Sequence, residues 1–168
     1  NMFDTTDLQQ YNALEPVVFE NSQILFLVSM PSVDSENENF YFADSDNRFW
    51  PTLSAIYGMP CSTKEECLAI LEQNNLAIWS VVKSCLRHLS RENTMQDIVL
   101  NDISGFLAQY PNIQRIICVS RDTEVLLKEA DYNAANMAVY VPSPSAADLW
   151  YDSVEKLVPE YEKALTLE

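Results

Sequence analysis

One asparagine in an aromatic-rich loop is the residue best placed to do chemistry in this sequence. The loop reads Phe40-Tyr41-Phe42-Ala43-Asp44-Ser45-Asp46-Asn47-Arg48-Phe49-Trp50, and it follows an apolar run, residues 24–28, that breaks at Pro31. A neutral carboxamide is a poor base, but its carbonyl oxygen can hold a water molecule in a fixed direction. A buried strand that leads through such a loop to Asn47 at a helix start is the arrangement of a pocket. We therefore expect any chemistry to be centred on Asn47.

The elements that position this loop follow a repeating pattern of strand and helix. Short apolar runs rich in β-branched residues occur at 24–28, 78–82, 113–119 and 137–141. Segments with helical spacing follow at 48–57, 63–74, 101–110, 121–130 and 149–165. Continuous apolar strands indicate a parallel sheet covered on both faces. The predicted fold class is α/β, a three-layer α/β/α arrangement with a short, mainly parallel four-stranded central sheet.

Two loops of this arrangement should meet at one edge of the sheet. Ligands of open parallel sheets bind beyond the carboxyl ends of the strands. The loop after the first strand spans residues 29–47, and the loop after the fourth strand begins Pro142-Ser143-Pro144-Ser145. We expect these two loops to share a cleft.

The net charge limits the partners that this chain can bind. Its 168 residues carry 25 acidic and 10 basic side chains, for a formal charge of −15. This charge weakens the attraction for nucleic acid and for anionic membranes, so DNA binding requires a local exception. No run approaches the roughly 20 apolar residues of a membrane span, and we expect no membrane contact.

Cysteine and histidine usage favours neither a metal site nor disulfides. The four cysteines lack C-x-x-C spacing, and the only histidine, His88, has no ligand-like partner in the sequence. Reduced thiols are typical of a cytosolic protein, and the first residues do not form a signal-like segment. We expect no metal site and a cytoplasmic location.

Four segments together carry the motifs of a known enzyme family. They are Leu27-Val28-Ser29-Met30-Pro31-Ser32, Tyr41 with Asn47-Arg48-Phe49-Trp50-Pro51, residues 77–85, and Pro142-Ser143-Pro144-Ser145. In this order they resemble the strand end, the aromatic pair with its asparagine signature, the second strand and the DNA-pinching motif of the uracil-DNA glycosylase superfamily. The closest match is its hypoxanthine (deoxyinosine) DNA glycosylase branch. The resemblance runs from about residue 24 to 150 and implies a single domain of this superfamily over residues 2–168.

The resemblance implies hydrolysis of the N-glycosidic bond of a deaminated base, hypoxanthine or uracil, in DNA without a cofactor. Asn47 would orient water against an oxocarbenium-like sugar. The mismatch-specific uracil glycosylases place a catalytic asparagine where this chain has Met30, so the role moves to Asn47, as in the hypoxanthine branch. Backbone N–H groups of Ser29 and Met30 would bind the extruded base, and Tyr41 or Phe42 would stack on it.

The DNA contacts implied by the resemblance come from two regions. Ser143 and Ser145 would contact the phosphate backbone. Lys83, Arg87 and Arg91 share one face if the segment after the second strand is helical, and this basic stripe best compensates the acidic loop 34–46. No lysine precedes Lys64, so we expect a monofunctional glycosylase without a lyase step.

Each of these assignments has a structural alternative. Asn47 is also a preferred residue for a helix N-cap. Tyr41 and Phe42 can instead close over the core, Ser143 and Ser145 can form an ordinary proline-flanked turn, and the basic stripe can be a solvated helix face. Phe49 and Trp50 are expected to pack in the core rather than contact substrate.

The chain also departs from the family pattern at several positions. Val28 and Ser120 stand where the family has glycine, and Asp44-Ser45 replaces a histidine-proline or asparagine-proline pair. Two further functions therefore stay open. One is a catalytically silent relative that binds another ligand or a protein partner, and the other is an enzyme acting on free nucleosides or nucleotides.

Overall fold

A computed structural model describes residues 7–166 of the chain. The ends of the predicted domain, residues 2–6 and 167–168, lie outside the described residues. The strands are β1 (Gln9–Asn12), β2 (Ile24–Val28), β3 (Leu76–Ser80), β4 (Val82–Arg87), β5 (Gln96–Leu100), β6 (Arg115–Val119) and β7 (Ala138–Val141). The helices are α1 (Val33–Glu38), α2 (Phe49–Tyr57), α3 (Lys64–Gln73), α4 (Ile103–Gln109), α5 (Arg121–Ala130), α6 (Tyr132–Ala135) and α7 (Val154–Leu165).

The central sheet is four-stranded and entirely parallel, in the order β3-β2-β6-β7. Its inner strand β2 buries alternate side chains on opposite faces. Ile24 and Phe26 pack with residues of α2, α3 and α7, whereas Leu25 and Leu27 pack with residues of α4, α5 and α6. Both faces are thus covered, which explains why the strands read as unbroken apolar runs. The predicted three-layer α/β/α class with four mainly parallel strands is confirmed.

The helix boundaries follow local capping signals. Thr63 begins α3 with a capping box to Glu66, and Gly58 ends α2 in the left-handed conformation at φ +62°. The last helix begins later than expected, at Val154 rather than at residue 149. The reason is that the Asp148 carboxylate accepts the N–H groups of Trp150 and Tyr151, which holds this stretch in a turn.

A second, antiparallel sheet, β1-β4-β5, was absent from the sequence prediction. Strand β4 follows β3 after a single residue, where a helix carrying Lys83, Arg87 and Arg91 was expected. That expectation is wrong, because Lys83 and Arg87 lie in β4 and Arg91 lies in the turn after it. Register shifts in the β4–β5 pair break the strand alternation and bury both Val82 and Cys85, whose separation imitates a helical period.

None of the helices within residues 7–166 has the length and apolar character needed to cross a membrane.

Candidate functional site

A cavity of about 190 Å³ opens beyond the carboxyl ends of three parallel strands. The loops after β2 and β7 and the end of β6 form its walls, and the turn after β4 completes it. Its lining contains every predicted site residue from the first and fourth strand loops: Ser29, Met30, Tyr41, Phe42, Asn47, Ser143 and Ser145. At about 30 Å³ for each water molecule, the cavity holds about six waters, which is enough space for one flat nucleobase.

Backbone donors lie at the floor of the cavity. Ser29 and Met30 directly follow β2 and are 3% and 6% exposed. The carbonyl of Ser29 accepts the N–H of Val82 at 2.9 Å. Within residues 7–166, the N–H groups of Ser29 and Met30 donate to no protein acceptor. Buried N–H groups without a partner are rare, so these two are suited to bind a carbonyl oxygen of a ligand.

The Asn47 side chain is oriented by the helix that follows it. Its Oδ1 accepts the backbone N–H of Phe49 at 2.9 Å, and its own N–H donates to the Asp44 carbonyl at 3.0 Å. Because the Phe49 N–H can only donate, the carbonyl oxygen of Asn47 must be the atom that faces it. An amide oxygen has two lone pairs, so the second can accept a hydrogen bond from water. Asn47 thus supports the helix start while it lines the cavity.

The two aromatic candidates differ in what they can do. Tyr41 is 2% exposed, and its hydroxyl donates to the carbonyls of Leu14 and Glu15. Burial and the nearby Glu15 carboxylate raise the pKa of Tyr41, so the phenol stays neutral. Phe42 is half-buried, and one face of its ring stacks on Phe49 with ring centroids 3.8 Å apart. Tyr41 therefore anchors the loop, and Phe42 is the aromatic ring of the two that is partly exposed where it lines the cavity.

The core role expected for Phe49 and Trp50 is confirmed. Phe49 is fully buried, and its ring contacts those of Phe26 and Tyr161. Trp50 is 7% exposed, and its indole N–H donates to the Tyr41 carbonyl at 2.9 Å. These contacts attach the cavity wall to the hydrophobic core.

The second loop is joined to the first by one arginine. The backbone N–H of Arg48 donates to the Pro144 carbonyl at 2.9 Å, and its guanidinium donates to the Ser145 carbonyl at 3.1 Å. The hydroxyls of Ser143 and Ser145 accept backbone N–H groups within their own turn. Each hydroxyl still has a hydrogen to donate, so the turn geometry leaves both serines able to contact a phosphate.

Two carboxylates line the cavity, Asp44 from the acidic loop that was expected to face the substrate and Glu92, which the sequence prediction did not place there. Asp44 Oδ1 accepts the Ser32 hydroxyl at 2.6 Å, and Glu92 Oε1 accepts the hydroxyl of Ser29. Asp44 stands in the aromatic-rich loop and was visible as a departure from the family pattern. Glu92 reaches the cavity only because the antiparallel sheet turns the chain back, and no sequence signal indicated that sheet.

Arg87 does not lie where DNA contact requires it. Its side chain is 1% exposed, its Nη2 donates to the Pro31 carbonyl at 2.6 Å, and its guanidinium carbon lies 4.9 Å from the centre of the Tyr11 ring. Nη2 also lies 3.8 Å from Glu36 Oε2, and burial lowers the pKa of Arg87. The expected DNA contact by Arg87 is therefore wrong, because the guanidinium supports the cavity wall from behind. Arg91 is exposed, and its DNA contact stays a prediction.

A larger cleft of about 960 Å³ adjoins the second loop. Ser143 lines both the cleft and the smaller cavity, and the charged residues of the cleft are balanced, three cations against three acids: Arg115, Arg121, Lys163, Asp122, Asp148 and Glu160. The described residues 7–166 contain no cluster of three histidine, cysteine, aspartate or glutamate side chains that could hold a metal ion.

Comparison with known proteins places these features in context. No family model matches the chain. A hypoxanthine DNA glycosylase of Methanosarcina acetivorans is 30% identical over 138 residues, which are 79% of this chain and 84% of that protein. A hypoxanthine DNA glycosylase of Methanosarcina barkeri is 28% identical over 104 residues, which are 61% of this chain and 66% of that protein. The solution NMR structure of a candidate uracil DNA glycosylase from Methanosarcina acetivorans superposes with a TM-score of 0.76 at 26% identity, covering 94% of this chain and 97% of that one.

Proposed function

Because this chain belongs to the hypoxanthine DNA glycosylase family of the uracil-DNA glycosylase superfamily, we propose that it hydrolyses the N-glycosidic bond of a deaminated base in DNA. The base that we propose is hypoxanthine or uracil. The observation that carries this proposal is the convergence of Asn47, Phe42 and the Ser29 and Met30 N–H groups on one base-sized cavity. No step of the mechanism below uses a cofactor.

Recognition begins with a base rotated out of the duplex into the cavity. Phe42 stacks on the base with the ring face opposite to the one that packs on Phe49. The Ser29 and Met30 N–H groups donate to a carbonyl oxygen of the base. As the bond to the sugar breaks, negative charge spreads onto that oxygen, and fixed donors in a dry site stabilise it.

Hydrolysis requires one water near the anomeric carbon of the sugar. The second lone pair of Asn47 Oδ1 accepts a hydrogen bond from this water and orients its oxygen toward the carbon, which has oxocarbenium character. Because the Asn47 amide is neutral, it positions the water rather than removing its proton before the bond breaks. Of residues 7–166, no lysine lines the cavity. We therefore propose a monofunctional glycosylase that forms no Schiff base with the sugar.

Binding to DNA takes place against a strong overall negative charge. Ser143 and Ser145 donate to phosphate oxygens beside the flipped nucleotide, and Arg91 adds an exposed cation near the turn after β4. Such a small set of phosphate contacts predicts modest affinity and a shallow dependence on salt. A cytoplasmic location is part of the proposal, because the four free cysteines are typical of a reducing compartment.

The alternative is a catalytically silent relative that binds another ligand or a protein partner. It is favoured by the Asp44 and Glu92 carboxylates in the cavity wall and by the charge of −15. A relative of this kind would keep the fold but would not release a base from any DNA.

An oligonucleotide panel separates the two possibilities. The purified protein is incubated at low salt with single- and double-stranded DNA that contains one deoxyinosine or one deoxyuridine, and abasic sites are revealed by alkaline cleavage. The proposal predicts cleavage at deoxyinosine and release of free hypoxanthine. Absence of product from every substrate at enzyme excess, with the same result for free deoxyinosine, would rule out the glycosylase and leave the silent relative.

A further inference from the structure

The Glu92 carboxylate contacts Ser29, one of the two residues that would bind the base. Glu92 lies in the 3-10 turn Glu92–Thr94, and its Oε1 accepts the hydroxyl of Ser29 at the edge of the cavity. A carboxylate offers about four acceptor sites, and Ser29 occupies one of them. No other side chain among residues 7–166 donates to it.

A carboxylate held by the Ser29 hydroxyl therefore lies close to two N–H groups that have no protein acceptor within residues 7–166. Ser29 supplies both a backbone N–H and the hydroxyl that holds Glu92, and Met30 supplies the second N–H. The donors suit a carbonyl oxygen, and the carboxylate suits an N–H group. Side by side, they match an edge on which an N–H stands next to a carbonyl group.

That edge is what deamination creates on a nucleobase. Hypoxanthine presents N1–H beside O6, and uracil presents N3–H beside its carbonyl oxygens. Adenine and cytosine present an unprotonated ring nitrogen beside an amino group, which would place lone pair against carboxylate and donor against donor. Both contacts cost binding energy because each is repulsive and replaces a hydrogen bond that a deaminated base would make.

We infer that Glu92 is a specificity-determining residue, whose carboxylate accepts the lactam N–H of a deaminated base while the Ser29 and Met30 N–H groups donate to the adjacent carbonyl. The inference rests on the proposed function, since it names the feature of the base that the same cavity reads. The N–H stays on the base when the glycosidic bond breaks, so the contact is made before and after cleavage. Glu92 takes no part in the proton transfers of hydrolysis.

The test uses a base that lacks the N–H. DNA containing 1-methyldeoxyinosine keeps O6 but has no proton at N1, and its single-turnover excision rate is compared with that of deoxyinosine. The wild type should excise deoxyinosine at least about tenfold faster, because a lost hydrogen bond to a charged group has about this effect on discrimination. Glu92→Ala should excise deoxyinosine about 10- to 100-fold more slowly. Its ratio between the two substrates should fall towards one, and Glu92→Gln, which keeps a carbonyl acceptor, should recover part of the rate.

Asn93→Ala, an exposed change in the same turn, is the matched control and should leave both rates unchanged, with equal thermal midpoints for all variants. The inference is overturned if Glu92→Ala excises deoxyinosine at the wild-type rate. It is also overturned if the ratio of the excision rates of deoxyinosine and 1-methyldeoxyinosine is the same in Glu92→Ala as in the wild type. Calorimetric binding of free hypoxanthine and 1-methylhypoxanthine gives a second readout that needs no catalysis. If the wild type excises no base but prefers hypoxanthine to 1-methylhypoxanthine, and Glu92→Ala loses this preference, the proposed function is refuted and the inference is supported. If the wild type binds the two bases equally, the inference alone is refuted.

Discussion

The buried Arg87 offers the sharpest test of the structure behind the cavity. We predict that Arg87→Met destabilises the protein by about 3–5 kcal/mol, because it removes the buried guanidinium from an ion pair whose carboxylate is 22% exposed and leaves buried acceptors without a donor. Methionine keeps the apolar stem but removes the donor to the Pro31 carbonyl at 2.6 Å. It also leaves Glu36 Oε2, which is buried without any hydrogen-bond partner, facing no cation.

The magnitude can be read directly from urea unfolding. With a slope of about 2 kcal/mol per molar urea, a loss of about 3–5 kcal/mol lowers the midpoint by about 1.5–2.5 M. Arg87→Met with Glu36→Gln should recover much of this loss, because the double variant no longer buries an unpaired charge. Lys83→Met, which removes an exposed cation from the same strand, is the control. It should change the free energy of unfolding by less than about 0.5 kcal/mol.

The reasoning would be refuted by a stable Arg87→Met variant with weakened DNA binding. Suppose that the free energy of unfolding changed by less than about 1 kcal/mol while the slope of log affinity against log salt became shallower by about 0.9. Arg87 would then be a phosphate contact rather than a residue that stabilises the cavity wall. We expect the opposite pair of results, a large loss of stability and an unchanged salt slope.

Three further outcomes are expected. Phe42→Ala should weaken binding of DNA with an extruded base by about 1–3 kcal/mol in an anisotropy titration, whereas Phe42→Tyr should bind like the wild type. Equal affinities of Phe42→Ala and the wild type would exclude stacking by this ring. Asp46→Lys exchanges an exposed acid for a cation beside the cavity, so the affinity for DNA at low salt should rise and the slope of log affinity against log salt should steepen by about 0.9. An unchanged affinity and slope would mean that DNA binds to another surface. Burial raises the pKa of the Cys118 thiol to about 12, so this cysteine should resist a thiol reagent at pH 8 until urea unfolds the protein, and rapid modification in the native state would contradict its burial.

The central sheet could be predicted because its signals are local and repeated. The apolar runs and helix caps around Thr63 and Gly58 identify a covered parallel sheet, and parallel topology then brings the strand ends together. This logic placed Asn47 and Ser143, nearly 100 residues apart in sequence, at one cavity. Long-range proximity followed from topology rather than from any direct sequence signal.

The antiparallel sheet could not be predicted for equally physical reasons. The bulged strand β4 buries Val82 and Cys85 with helix-like spacing, and β5 is exposed along its whole length, so neither strand shows clean alternation. With that sheet missed, Arg87 was expected on a surface and Glu92 was not considered at all. The two errors have one cause, because both residues take their places from the turn of β4 back toward the cavity.

The central claim is that the Asn47 carboxamide positions the attacking water, and one rate measures this directly. Single-turnover excision of hypoxanthine is measured at saturating protein for the wild type and Asn47→Ala, with Ser45→Ala as an exposed control in the same loop. We predict that Asn47→Ala lowers the rate by about 10²- to 10⁴-fold and leaves DNA affinity within a few-fold, while Ser45→Ala matches the wild type. An Asn47→Ala variant that is folded, binds DNA and excises hypoxanthine at the wild-type rate would contradict the account.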